Sequence, residues 1–167
     1  SQGNEMMVGR DVGTGELERA YNRGMRTTII GASASLIICL ITFIFIEPIM
    51  GIFTSNPEVI QIAKEVFLVE IVLETTRSIN MILVGSLNAS GDVKFPLICS
   101  LLVLWVISLP FSYSLAIWAG FGLVGVWIAY EIDEALRSIL MIRRWRSRIW
   151  ESKSLVQQTT TLDEVSV

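Results

Sequence analysis

The sequence contains no histidine, only two cysteines and few charged residues, which make up 17% of its 167 positions. Without histidine, the chain cannot build an imidazole metal site, a Ser-His-Asp triad or a histidine proton switch. Cys39 and Cys99 lie inside apolar runs, so they indicate buried apolar positions and not a disulfide framework. The net charge is −3, whereas a nucleic-acid-binding protein usually has an excess of Lys and Arg, so we expect no nucleic-acid partner.

Charge is also missing over long stretches of the chain. No Asp, Glu, Lys or Arg occurs at positions 27–46 or 95–130. An uncharged apolar run of about 18 residues or more is typical of a membrane span. No nucleophile–base pair or metal-ligand set is visible, so we expect no enzyme and no cofactor. The composition, 52% hydrophobic, therefore predicts an all-α polytopic membrane protein.

Local signals divide the apolar part into four predicted transmembrane helices. Pro48 and Gly51 end the first, and the cap sequence Asn56-Pro57-Glu58 begins the second. Gly120 and Gly122 split the longest uncharged run in two. The predicted spans are 27–50, 57–89, 95–118 and 123–142. Residues 1–26 are predicted to form a cytoplasmic loop and an interfacial helix, and residues 143–167 a basic cytoplasmic segment with a disordered tail.

The positions of the basic residues predict the orientation. Four arginines precede the first span and five basic residues follow the last, whereas only Lys64 lies near the connection between the first two spans. By the positive-inside rule, both termini of the chain face the cytoplasm of a multi-pass protein in the cell membrane. The lipid bilayer is therefore its first expected partner.

The second predicted span carries charges at a depth that lipid does not tolerate. At about 100° per residue, Glu70, Glu74 and Arg77 share one stripe of the helix, and Asn80 lies in the same segment. A charge at the centre of a transmembrane helix costs about 2.5–3.5 kcal/mol. The stripe must therefore face protein or a wet cavity. Residues of this kind are by default candidates for an ion or substrate path.

Two interpretations of this stripe are open. Arg77 lies three residues from Glu74, so it can pair with that carboxylate, or with Glu70 and Glu74 together, as a structural staple. Two carboxylates against one guanidinium leave an excess negative charge, which a proton or a cation such as Na⁺ can neutralise. Glu70 is then the candidate residue for ion coupling. If the coupling ion is Na⁺, its expected site lies near Glu70 and Glu74.

The fourth predicted span has a second acidic group near its cytoplasmic end. Asp133 and Glu134 lie four and three residues from Arg137, a spacing that predicts a helix-end ion network. Glu131 points away from Arg137 and is the candidate for the ion or substrate path in this helix.

Four short motifs, in order along residues 1–150, resemble those of the multidrug and toxic compound extrusion (MATE) transporters. They are Gln2, Val8-Gly9-Arg10, Gly13, Gly15 and Ala20; Phe53-Thr54 and Asn56-Pro57-Glu58-Val59; Gly85-Ser86-Leu87, Ala89, Gly91-Asp92 and Pro96; and Gly122-Leu123, Gly125-Val126-Trp127, Arg144-Trp145 and Trp150. The family more often has Asp where this chain has Asn56.

The resemblance implies a transporter of twelve helices in two six-helix lobes. The four spans would be the ninth to twelfth helices, part of the C-terminal lobe, and the N-terminal lobe of the same transporter would be a missing partner. Such transporters exchange H⁺ or Na⁺ for amphipathic, mostly cationic compounds by alternating access. Carboxylates of the tenth helix couple the ion in some members, which implies Glu70 or Glu74 here, although Arg77 departs from the family pattern.

Two other functions are compatible with the same residues. One is a lipid-linked oligosaccharide flippase of similar lobe architecture. The other is a stand-alone four-helix membrane scaffold that binds partners and transports nothing.

Overall fold

The computed structural model describes residues 2–154, which are helical except in the turns between helices and include no strand. The prediction of an all-α fold is therefore confirmed. Seven α-helices, two π-helical segments and a short 3₁₀ turn make up the described chain. They are α1 (Gln2–Gly13), α2 (Leu17–Ile44), α3 (Ile46–Phe53), α4 (Pro57–Ala89), α5 (Lys94–Val103), π-helix Leu104–Ser108, α6 (Leu109–Tyr113), π-helix Ser114–Trp118, α7 (Gly122–Arg146) and the 3₁₀ turn Ile149–Lys153.

The first residues are more helical than the sequence predicted. A loop was expected there because glycine disfavours helix, yet α1 covers Gln2–Gly13. Val8 and Val12 are buried against the rest of the bundle, and this packing outweighs the low propensity. The chain turns at Gly15, whose φ of +77° suits glycine.

The predicted span 27–50 is divided differently in the structure. Helix α2 begins ten residues earlier, at Leu17, and ends at Ile44, after which Phe45 separates it from α3. Proline removes a helix donor, and its ring clashes with the carbonyl four residues before it. For Pro48 that residue is Ile44, where α2 ends. Pro48 lies in the first turn of α3, where a backbone N–H would have no acceptor within the helix, so its absence costs no hydrogen bond.

The third predicted span is a single helix, Lys94–Trp118, with two irregular segments. Pro110 lies in α6, and the residue four before it, Val106, lies in the π-helical segment Leu104–Ser108. The missing proline donor accounts for the loss of regular α-helical bonding there.

The second and fourth predicted spans agree with α4 and α7, and α7 extends to Arg146. The side chain of Asn56 caps α4 by accepting a hydrogen bond of 3.0 Å from the backbone N–H of Glu58. Pro57 occupies the first position of the helix, as the sequence predicted. Helix α4 packs along both α2 and α7 and is the central helix of the bundle.

Two of the described helices are long and apolar enough to cross a membrane by length and composition: Leu17–Ile44 and Lys94–Trp118. Helices α4 and α7 are long enough, but each carries several charged residues in its middle. Four spans therefore stay a prediction from the sequence. The predicted disordered tail falls largely on residues 155–167, which lie outside the described residues.

An aromatic and ionic cluster joins the ends of α2, α4 and α7 at one end of the bundle. The Trp145 and Trp150 rings stack with centroids 4.5 Å apart, and both residues are fully buried. Asp92, in the turn after α4, is also buried, and its carboxylate accepts hydrogen bonds from Arg144 at 2.6 Å and Lys153 at 3.3 Å. These contacts fix the register of α4 against α7.

Candidate functional site

Helices α4 and α7 are joined in their middle parts by hydrogen bonds from polar side chains. Ser138 Oγ donates to the carbonyl oxygen of Thr76 at 2.6 Å, and Thr76 Oγ1 donates to Glu131 Oε2 at 3.3 Å. Asn80 Nδ2 donates to Glu134 Oε2 at 2.9 Å. We call the polar residues of this region the acidic seam. They are Glu70, Glu74, Thr76, Arg77 and Asn80 of α4, and Glu131, Asp133, Glu134, Arg137 and Ser138 of α7.

On α4, the structure brings together the three charged residues that the sequence placed on one stripe. Arg77 Nη1 donates to Glu74 Oε2 at 2.7 Å and lies 3.9 Å from Glu70 Oε1. The guanidinium therefore neutralises Glu74 more directly than Glu70. The second oxygen of Glu70, Oε2, is buried and accepts no hydrogen bond from residues 2–154. Glu70 is the less compensated of the two carboxylates.

On α7, the ion pairing is simpler than the expected network. Arg137 binds Asp133 at 2.9 Å, and the Asp133 side chain is 5% exposed. Glu134, which the spacing also allowed to pair with Arg137, instead accepts from Asn80 on α4. Glu131 accepts from Thr76 and lies away from Arg137, as the sequence indicated.

The sequence reasoning missed Thr76, Glu134 and Ser138 as members of the seam. Thr76 and Asn80 are four residues apart, and Glu131, Glu134 and Ser138 follow a three- and four-residue spacing. That spacing was the available signal that each set forms a polar helix edge. Which edge faces which depends on the register of α4 against α7, and spacing along one helix does not carry that information.

The seam has a formal surplus of negative charge. Five carboxyls, those of Glu70, Glu74, Glu131, Asp133 and Glu134, share the region with only two guanidiniums, Arg77 and Arg137. In surroundings of low dielectric constant such a surplus attracts protons or cations. Among residues 2–154, however, no group of three or more His, Cys, Asp or Glu side chains converges as a metal site. A Na⁺ ion near Glu70 and Glu74 therefore stays a prediction.

An apolar cleft of about 450 Å³ opens beside the seam, between α3, α4 and the start of α7. Glu70 is the one charged residue among those that line it. Met50, Phe67 and Trp127 are among the apolar ones. A cleft with apolar walls and a single carboxylate fits a molecule that is both apolar and positively charged.

One wall of the cleft, α3, is tied to α4 by an ion pair. Lys64 of α4 donates a hydrogen bond to the carboxylate of Glu47 in α3. Helix α3 otherwise makes few contacts with α2 and α4. It is a helix of eight residues, flanked by Phe45 and Thr54.

Two helices long and apolar enough to cross a membrane, with a seam of charged residues beside them, are compatible with the class of helical membrane proteins. The MatE family model matches residues 1–114, which is more than half of the chain. The chain belongs to the MatE family, and the family consists of membrane transporters, not enzymes. No solved structure matches the chain.

Curated relatives cover most of the chain. The uncharacterized transporter YisQ of Bacillus subtilis is 39% identical over 155 residues, which are 93% of this chain and 34% of that protein. The probable multidrug resistance protein NorM of Thermotoga maritima is 27% identical over 150 residues, 90% of this chain and 32% of that protein. The chain thus spans about a third of the length of these relatives.

Proposed function

We propose that the chain is part of the C-terminal lobe of a secondary active multidrug efflux antiporter. The transporter exchanges H⁺ or Na⁺ for amphipathic, mostly cationic compounds by alternating access. Family membership and the multidrug resistance proteins among the relatives support efflux as the activity. The observation that carries the proposal is Glu70, an incompletely compensated carboxylate at the edge of both the acidic seam and the apolar cleft.

The position of Glu70 provides a physical basis for exchange. Its carboxylate can be neutralised by a proton, by Na⁺ or by a cationic substrate in the cleft, but one negative charge neutralises one of them at a time. Binding of the coupling ion then releases the substrate, and binding of the substrate releases the coupling ion. Arg77 holds the neighbouring Glu74 and so leaves Glu70 as the exchangeable group.

The remainder of the transporter is the proposed partner of the exposed apolar faces, together with the lipid bilayer. Ile52 and Phe53 of α3 are 81% and 79% exposed, and Trp118 is 82% exposed. A protein that exposes apolar side chains to this extent would not stay soluble in water. An N-terminal lobe and lipid would cover them. Nothing in the structure favours the flippase or the scaffold hypothesis over this one.

Replacement of Glu70 by glutamine tests the proposal. In cells that express the transporter containing this chain, Glu70→Gln should slow cation-driven efflux of a cationic dye by on the order of tenfold, as expected for the loss of about 1.4 kcal/mol of cation binding. Glu65→Gln is the matched control, because it makes the same chemical change at an exposed position of α4, where Glu65 accepts a hydrogen bond from Gln61. Dye efflux by Glu70→Gln at the rate of the control would contradict the role of Glu70.

A further inference from the structure

Three arginines of α2 form a separate charged surface away from the acidic seam. Arg19, Arg23 and Arg26 are spaced four and three residues apart and therefore share one face of the helix. With Asn22 and Thr27, they line a cleft of about 380 Å³. The charge-free run of the chain begins at Thr27, directly after Arg26. The cleft thus lies where a membrane-crossing α2 enters the headgroup layer.

The cleft keeps an excess of positive charge. Asp11 of α1 accepts from Arg23 at 2.7 Å, and Glu16 accepts from Arg19 at 2.7 Å. Arg26 is exposed, and no carboxylate within residues 2–154 lies within 4.0 Å of it. Three guanidiniums against two carboxylates leave one positive charge. The planar N–H groups of an arginine are suited to a phosphate.

The same face of α2 continues as an apolar stripe. Ile30, Ile37 and Ile41 follow Arg19 by 11, 18 and 22 residues, positions that fall within about 40° of it on an α-helix. Their side chains are 68%, 57% and 52% exposed, and Ile44 on the same stripe is 74% exposed. A polar anionic head and a long apolar tail would therefore find their complements along one line of the helix.

We propose that this face of α2 binds an anionic phospholipid. The phosphate lies in the arginine cleft, and an acyl chain lies along the isoleucine stripe. A soluble phosphate would contact only the arginine cleft, whereas a phospholipid contacts both the arginine cleft and the isoleucine stripe. Asp11 orients Arg23 in the cleft, and Arg26 supplies the uncompensated charge.

Native mass spectrometry of the purified transporter that contains this chain, titrated in detergent with phosphatidylglycerol or phosphatidylcholine, tests the site. We expect phosphatidylglycerol to bind more tightly than phosphatidylcholine. Arg26→Gln should weaken phosphatidylglycerol binding about fivefold, because one basic residue near an anionic lipid contributes about 1 kcal/mol. Arg146→Gln is the matched control, since Arg146 is another exposed arginine near the end of α7 but lies outside the cleft. Circular dichroism of each variant checks the helical content.

A second variant distinguishes a lipid from a free anion. Ile37→Asn places an amide in the apolar stripe and should weaken phosphatidylglycerol binding, whereas it leaves the arginine cleft intact. The proposal is overturned if Arg26→Gln binds phosphatidylglycerol as tightly as the Arg146 variant does. It is also overturned if the two lipids bind equally, or if millimolar inorganic phosphate displaces phosphatidylglycerol completely, which would indicate a site for a free anion.

Discussion

Individual carboxylates of this chain differ in how completely a cation compensates them. Asp92 is buried and receives two basic side chains, Arg144 and Lys153. Glu70 has one guanidinium at 3.9 Å and a buried oxygen without a hydrogen bond from residues 2–154. A fully compensated carboxylate stabilises structure, whereas an incompletely compensated one is available to a proton or a cation.

The role of Asp92 leads to a prediction on stability. Asp92→Asn removes the charge that compensates Arg144, whose side chain is only 13% exposed. Leaving a buried charge without its partner costs about 3–5 kcal/mol. The midpoint of thermal unfolding in detergent should therefore fall by on the order of 10 °C.

The control for Asp92→Asn is Glu16→Gln, which removes a carboxylate that is half exposed in its pair with Arg19. Ion pairs on the surface contribute little to stability, so this variant should unfold close to the wild-type temperature. Equal midpoints for the two variants would show that the Asp92 cluster does not hold the helices together.

The members of the acidic seam show how far single residues could be predicted. Glu70, Glu74 and Arg77 contact one another as expected, because all three lie on one helix and helical geometry fixes their spacing. The bonds from Thr76 to Glu131 and from Asn80 to Glu134 were not predicted. They depend on how two helices are set against each other, which the periodicity of either helix leaves open.

At the scale of helices, prolines and close packing determine where the elements begin and end. The bounds of α4 were predicted from its Asn-Pro-Glu cap and its following turn, since these signals are local. Helix α1 was not predicted, because its stability comes from burying Val8 and Val12 against other helices. Gly9 also disfavours a helix, yet α1 continues through it; a Cβ added there would make only an ordinary contact with Ala89 of α4, at 3.7 Å.

The approach of α2 to α7 gives a prediction on packing. A Cβ added to Gly24 of α2 would lie 2.6 Å from Cζ2 of Trp145, a ring that cannot shift easily because it is buried and stacked on Trp150. Gly24→Ala should therefore destabilise the bundle by about 1–3 kcal/mol despite the higher helix propensity of alanine. Chemical unfolding in detergent, followed by tryptophan fluorescence, measures the change.

Gly51→Ala serves as the control for Gly24→Ala. Gly51 is also helical, but a Cβ there meets no atom within 4 Å. Alanine at this position should be neutral or slightly stabilising, because it has the higher helix propensity. A Gly24→Ala variant as stable as the Gly51 variant would contradict the close packing of α2 on Trp145.

For the whole molecule, the arrangement of the ends is the main structural result. Arg148, after α7, binds Glu18 of α2 at 2.6 Å, and Trp145 Nε1 donates to the carbonyl oxygen of Tyr21 at 3.3 Å. The start of α2 and the end of α7 therefore lie at the same end of the bundle. This arrangement is consistent with an even number of crossings, and the side of the membrane that the two ends face stays a prediction from the basic residues.

The central claim is that α2, α4, the Lys94–Trp118 helix and α7 cross a membrane with the acidic seam turned inward. Single cysteines at Ser55, Ala119 and Ser152, in a background with Cys39 and Cys99 replaced by alanine, test it most directly with a membrane-impermeant maleimide on intact cells. All three positions are exposed. We predict that Ser55→Cys and Ala119→Cys react in intact cells, and that Ser152→Cys reacts only after permeabilisation. Equal labelling of all three in intact cells, or recovery of the chain in the soluble fraction, would contradict the account.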